Sequence, residues 1–345
     1  MTPPILECTN VRKIYRTARR EAGLSGLWKS FVAREHVEFT ALAGIDLAVE
    51  PGEFVGLIGP NGAGKTTLVK VLVGIVPVTS GSARLFGVDS FHLGDAQKAR
   101  LSLVMGQRSQ LWWDIPAIDS FHLLREIYRV DRARFDARVR EMSRRLEVED
   151  RLTIQLRNLS LGQRMKMEII GAFLHEPSIV FLDEPTIGLD LVSRDTIRQF
   201  LVEVNRDTGA AVVLTSHDVE DIERTCRRLV ILESGRVLYD GDLIGLQRRL
   251  VGKRAVQVHL EPDAPRASVA ALDIGSFDAE ILVDELHALT FVVPAERTRE
   301  FLRHLLDRLP VRDVSVERQP LEGLIKEIFQ RRSMGADPAR SRGPS

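Results

Sequence analysis

The chain has 345 residues, long enough for one large domain and a smaller one with separate cores, which excludes a single small domain. Lys plus Arg and Asp plus Glu each number 48, a formal net charge of +0, so no global basic field marks a nucleic-acid binder. The two cysteines, Cys8 and Cys226, lie far apart in sequence; this rules out a disulfide framework or a cysteine metal cage and fits a reducing compartment.

ILECTNVRKIY, from Ile5 to Tyr15, reads as an extended segment. A basic interruption over 16–38 follows, and strand-like alternation resumes in ALAGIDLAVEPGEFVGLIG. Within the interruption Leu24, Leu27, Trp28, Phe31 and Val32 share a helical face, while Arg16, Arg19, Arg20, Lys29 and Arg34 supply positive charge. Two readings stay open: an amphipathic helix on a membrane surface or partner, or a helix packed on the chain itself.

Phe54 to Gly59 is a short apolar run ending in glycine, and Lys65 to Val76 turns helical, giving strand, glycine loop and helix. A mainly helical region is expected over roughly 95–175, where Arg134 to Val148 puts Phe135, Val139, Met142 and Leu146 on one face. Apolar strands at Ile179–Asp183, Ala211–Ser216 and Leu229–Glu233, each near a helical stretch, imply an α/β fold with a largely parallel sheet.

Beyond about 250, AVQVHLE, AEILVDE, LTFVVPA and VRDVSVE alternate like strands, while ERTREFLRHLLDRL and LEGLIKEIFQRR are helical, which suggests a small α+β domain. It has no phosphate loop, nucleophile with a base, or metal-ligand spacing; His259, His287 and His304 are scattered singly. The final residues, 334–345, have the Gly, Pro and Ser content of a disordered tail. The start carries no basic segment followed by an apolar core, and no stretch approaches the roughly 18 apolar residues of a span, so a cytosolic protein, or a peripheral subunit on the cytosolic face of a membrane, is expected.

GPNGAGKT, Gly59 to Thr66, fits the phosphate-loop pattern directly after a strand and opening a helix. Gly59, Gly62 and Gly64, with Pro60, Asn61 and Ala63 between them and Thr67 after, let backbone N–H groups converge on phosphate oxygens at a positive helix end. Lys65 is expected on the β- and γ-phosphates and the Thr66 hydroxyl on Mg²⁺. IVFLDEP places Asp183 at a strand end, to hold Mg²⁺ or its water, and Glu184 next to it as general base.

With GPNGAGKT, LSLGQ, FLDEP, IGLD and LTSHD in this order, the chain resembles the ATP-binding subunits of ABC transporters over roughly residues 5–240. Its EPTIGLD wording and following small domain are most similar to subunits serving ABC-2-type exporter permeases. The resemblance implies a P-loop ABC cassette over 1–245: a RecA-like lobe with a mainly parallel sheet, an antiparallel β subdomain and a helical subdomain. The α+β accessory domain then occupies 246–333. By the same resemblance Tyr15 stacks on adenine, Gln107 reaches Mg²⁺ and the attacking water, His217 is the γ-phosphate switch, and Asp190 lies in a loop crossing a dimer interface.

Ser160, Gly162 and Gln163 belong, in this family, to the signature that faces the phosphate loop of a second subunit. LSLGQ departs from the usual wording in carrying Leu161 where glycine is common. One phosphate loop and one signature in the chain imply a head-to-tail pair of copies, with ATP and Mg²⁺ at each shared site. The expected partners are that second copy and membrane permease subunits at the cytosolic face, with no nucleic acid.

RSQLWWDIPAIDSFHLLREIY, after Gln107, offers Trp112, Trp113 and Ile115 either to a permease helix or to the chain's own core. The alternative function is a soluble ABC-type ATPase acting on nucleic acid or ribosomes. Against a binding-only protein with a dead site, Lys65, Asp183, Glu184 and His217 are all present.

Overall fold

The computed structural model describes residues 3–18, 36–106, 108–248, 253–262, 272–285, 287–318, 321, 323 and 325. The chain divides into two compact units, Met1–Asp240 and Gly241–Ser345; the sequence reading places that division at 245/246.

In the first unit, β1 (Leu6–Ala18) and β2 (His36–Val49) form a long antiparallel ladder, from Leu6 opposite Val49 to Ala18 opposite His36. The ends of the basic interruption, 16–18 and 36–38, are therefore strand. Arg16 spends its charge on Glu38, with Nε 2.8 Å from the carboxylate. Charged side chains did not stop the ladder, because strand pairing is made by main-chain groups. Residues 19–35, and with them the amphipathic face from Leu24 to Val32, lie outside the described residues.

The chain continues through β3 (Phe54–Ile58), α1 (Lys65–Leu72), β4 (Ser80–Leu85), β5 (Val88–Asp89), α2 (Asp95–Lys98) and β6 (Leu101–Met105). Next come α3 (Ala117–Tyr128), α4 (Arg132–Arg145), α5 (Leu161–Phe173), β7 (Ile179–Asp183) and α6 (Leu191–Thr208). The unit closes with β8 (Ala211–Ser216), α7 (Val219–Thr225), β9 (Arg228–Glu233) and β10 (Arg236–Asp242). One sheet has the order β2-β1-β4-β5, the other β10-β9-β3-β8-β7-β6, with β9, β3, β8, β7 and β6 parallel.

β3, β7 and β8 are buried along their whole length, as strands covered on both faces must be, and this explains their unbroken apolar runs. One face shares a core with the antiparallel sheet and α1: Leu57, Phe181, Val213 and Val230 join Leu42, Ile45, Leu68 and Leu72. On the other face Gly56 comes so close to Ile222 of α7 that an added Cβ would sit 2.8 Å from it.

LSLVM, inside the stretch read as mainly helical over 95–175, is instead the edge strand β6, paired with β7. Its five residues show only a weak alternation, and partnership with β7 makes the strand. α4 does present Phe135, Val139 and Met142 to the interior, and Leu146 at its C-cap is buried with them.

The second unit holds α8 (Leu243–Arg248), β11 (Lys253–Leu260), β12 (Glu280–Asp284), β13 (Ala288–Pro294), α9 (Thr298–Arg308) and β14 (Val311–Arg318). Its antiparallel sheet has the order β12-β13-β11-β14. Val256, Val258, Phe291 and Val293 pack against Phe301 and Leu305 of α9. Residues 334–345 lie outside the described residues.

Candidate nucleotide site

The parallel register brings the C-terminal ends of the central strands level: Ile58 is opposite Ser216, and Asp183 lies between Met105 and Thr215. In an open parallel sheet this edge is where ligands bind, and each motif expected to carry chemistry leaves the sheet there. Gly64 starts α1 with φ of 106°, a left-handed conformation that glycine adopts at no steric cost; an added Cβ would lie 2.7 Å from the Ala41 carbonyl. The loop from Gly59 thus delivers the N-terminal N–H groups of α1 to the sheet edge.

Lys65 is buried, and its Nζ donates to the carbonyls of Gly59 (2.7 Å) and Pro60 (3.4 Å). The same ammonium lies 3.8 Å from Glu184 Oε1. The Thr66 hydroxyl donates to Asp183 Oδ1 at 3.2 Å, so two oxygen donors of the type that suits a hard divalent cation converge beside the loop.

Glu184 has a φ of 53°, uncommon outside glycine. The neighbours over-determine it: its N–H is shared between the Thr215 carbonyl (3.1 Å) and hydroxyl (3.0 Å). Such strain clusters at functional sites. Thr215, fully buried, also donates to Asp183 Oδ1 at 2.7 Å, tying both acidic residues to β8. This threonine is the first residue of TSHD, and its place in that motif is the signal in the sequence that points to it. His217, the residue directly after β8, has Nδ1 3.7 Å from Glu184 Oε2.

Gln107 lies outside the described residues. Its neighbour Gly106 donates to the Asp183 carbonyl at 2.8 Å, and an added Cβ there would strike the Glu184 carbonyl at 2.1 Å. Tyr15, half-buried, stands opposite Phe39 on β2, two residues before the Ala41 that touches Gly64.

Ser160 caps α5 in a full capping box: its hydroxyl oxygen accepts from Gln163 N–H (3.2 Å), and Gln163 Oε1 accepts from Ser160 N–H (3.1 Å). The hydroxyl proton is not consumed by this cap. Asp190 caps α6, accepting from the N–H (2.9 Å) and hydroxyl (2.8 Å) of Ser193, bonds that hold its carboxyl below the usual aspartate range. The two capped helix starts abut within the chain: a Cβ on Gly162 would lie 2.4 Å from Ser193 Oγ, and one on Gly188 3.3 Å from Leu161 Cδ2.

A phosphate loop at the strand ends of a parallel sheet, with a lysine, two carboxylates and a histidine around it, defines an ATP-binding cassette. A family model described as ABC transporter matches residues 42–187. The chain is 30% identical over 261 residues to the Nod factor export ATP-binding protein I of Cupriavidus metallidurans, covering 75% of this chain and 78% of that protein. It is 29% identical over 297 residues to the methionine import ATP-binding protein MetN of Geobacillus kaustophilus, 84% of each. Among solved structures, a dimeric post-hydrolysis state of the cassette MJ0796 bound to ADP and Pi aligns with TM-score 0.57 and 25% identity, over 69% of this chain and 98% of that one. The chain belongs to the ATP-binding subunits of ABC transporters, and it is an ATPase.

Proposed function

We propose that this chain is the motor subunit of a membrane exporter of the ABC-2 type, peripheral on the cytosolic face, in which two copies close head to tail on ATP and drive separate permease subunits. The observation that carries the reading is the convergence of Lys65, Thr66, Asp183, Glu184 and His217 on one sheet edge.

With ATP bound, Lys65 turns from the Gly59 and Pro60 carbonyls to the β- and γ-phosphate oxygens. Thr66, Asp183 and Gln107 hold Mg²⁺, which when bound neutralises charge on the phosphates. Glu184 takes a proton from the water that attacks the γ-phosphorus, His217 orients that water, and the bond to the bridging oxygen breaks to leave ADP. Tyr15 stacks on the adenine. From the other copy, the Ser160 hydroxyl and the Gly162 N–H reach the γ-phosphate, and Gln163 keeps the cap that aims them.

Permease contact runs through the segment after Gln107. Trp112 and Trp113 are 46% and 50% exposed, so the reading that buries both in the chain's own core does not hold. Export rests on the EPTIGLD wording, on the unit after residue 240, and on likeness to the Nod factor export protein. The match to the methionine import protein runs over more of the chain and favours a second reading, an importer with the same chemistry.

Glu184→Gln is the direct test. With ATP it should elute as a stable dimer while hydrolysis falls at least about a hundredfold. A persistent monomer at high protein and ATP concentration would overturn the shared-site reading.

A further inference from the structure

Outside the residues assigned above, one buried carboxylate gathers hydrogen bonds from both loops that carry the catalytic pair. Asp221, on α7, is 1% exposed. Its Oδ2 accepts from Ser216 Oγ (2.7 Å) and Thr186 Oγ1 (2.5 Å), and its Oδ1 accepts from Arg198 Nε (2.7 Å). Ser216 directly precedes His217, Thr186 follows Glu184 by two residues, and Arg198 is buried on α6.

The same loops are joined again. Ser216 Oγ accepts from Asp218 N–H at 2.9 Å, closing the turn with His217 at its centre. The Asp218 carboxylate accepts from Arg194 (3.0 Å), whose Nε donates to the Leu189 carbonyl (3.1 Å). The chain of bonds from His217 thus returns to the loop 186–190 by two routes, Asp221 to Thr186 and Arg194 to Leu189.

A carboxylate buried this deeply needs its acceptor capacity filled. Arg198 alone meets the charge, so the Arg198–Asp221 pair accounts for a stable helix pair. It does not account for the second oxygen, which is filled by two hydroxyls, one from each catalytic loop.

We propose that Asp221 is a positioning residue for ATP hydrolysis: by holding Thr186 and Ser216 on one oxygen it ties the Ser216–Asp218 turn to the 186–190 loop and sets His217 against Glu184. A displacement of that loop is thereby passed to His217. The inference rests on the reading of Glu184 as base and His217 as its partner.

Thr186→Val and Ser216→Ala each remove one hydroxyl from Oδ2 and leave the Arg198–Asp221 pair in place. Each should lower kcat about tenfold while KM for ATP and equilibrium ATP affinity stay within about twofold, the mark of an interaction used in the reaction rather than in binding. Thr186→Ser and Ser216→Thr, which keep the hydroxyl, should recover most of the rate.

The proposal is overturned if folded Thr186→Val and Ser216→Ala, with wild-type thermal midpoints, turn over within twofold of wild type. It is equally overturned if ATP affinity falls in step with kcat, or if the hydroxyl-retaining variants are no better than Val and Ala. Turnover by Glu184→Gln at the wild-type rate, in parallel, marks failure of the underlying catalytic reading instead.

Discussion

At the scale of single residues, the signature shows which positions tolerate a side chain. Gly162 sits against Ser193, whose hydroxyl is itself held by Asp190, so the space for a Cβ is already taken. Leu161 is 41% exposed and reaches toward Gly188, where glycine leaves it room. Leu161→Gly should therefore keep ATPase activity within a few-fold, at a helix cost of about 1 kcal/mol or less. Gly162→Asp drives a carboxylate toward Asp190 and should lose most activity, as should Ser160→Arg, which removes the cap. Steady-state ATPase rates on the purified variants decide it, and equal losses in all three would show that Leu161 makes a contact of its own. LSLGQ is a helix cap and, on the proposed dimer, half of an ATP site.

At the scale of elements, His175 joins pieces that sequence reading assigned to one helical region. Just beyond α5, it stacks on Tyr128 of α3 with ring centroids 3.8 Å apart, and its Nε2–H donates to the Leu101 carbonyl of β6 at 3.2 Å. Its Nδ1 is buried with no partner, so protonation would place a charge where no acceptor waits. Burial pushes the histidine down from 6.5 to about 4. A depressed histidine pKa means that the unfolded chain binds the extra proton first. Stability is full above pH 6.5 and declines as the pH falls toward about 4. Between pH 7.5 and 5 this residue should remove about 2 kcal/mol. Urea unfolding at the two pH values should show that loss in the wild type and a flatter dependence in His175→Gln. An unchanged difference would assign the acid sensitivity to other groups.

Glu168 of α5 makes a comparable link: its buried carboxylate accepts from Ser109 Oγ and from the N–H groups of Gln110 (3.0 Å) and Leu111 (3.3 Å). The segment leading from Gln107 to the exposed tryptophans is thereby attached to the helix that begins with the signature. Burial raises its carboxyl pKa despite those bonds.

For the whole molecule, the shared-site reading makes a prediction that no single chain can satisfy. A Lys65→Ala chain lacks a working phosphate loop, and a Ser160→Arg chain a working signature. Each should be inactive alone, yet half of the dimers in an equal mixture would carry one intact site, restoring about a quarter of wild-type activity. ATPase assays on the mixture check this, and a mixture as inactive as its parts would rule out exchange of signatures between chains.

Much of this protein was legible in its sequence. Periodicity and glycine spacing identify β3, the phosphate loop and α1, because strand, loop and helix are consecutive and their chemistry is local. The same holds for Asp183, Glu184, the Ser160 cap and the strands of the second unit. β6 was not legible, since a five-residue edge strand is made by its neighbour's hydrogen bonds. Nor was the reach of β1 and β2 into the basic stretch, where main-chain pairing ignores side-chain charge. Asp221 and Glu168 escaped for a related reason: an isolated aspartate or glutamate has no pattern, and its role comes from partners 35 or 59 residues away. Thr215 lies within TSHD, but only its bond to Asp183, 32 residues away, shows what it does. By itself the sequence determined which chemical groups exist and the local turns that present them. Only the tertiary structure decided which carboxylates lie within hydrogen-bonding reach of which loops, because parallel pairing aligns strand ends that are distant along the chain.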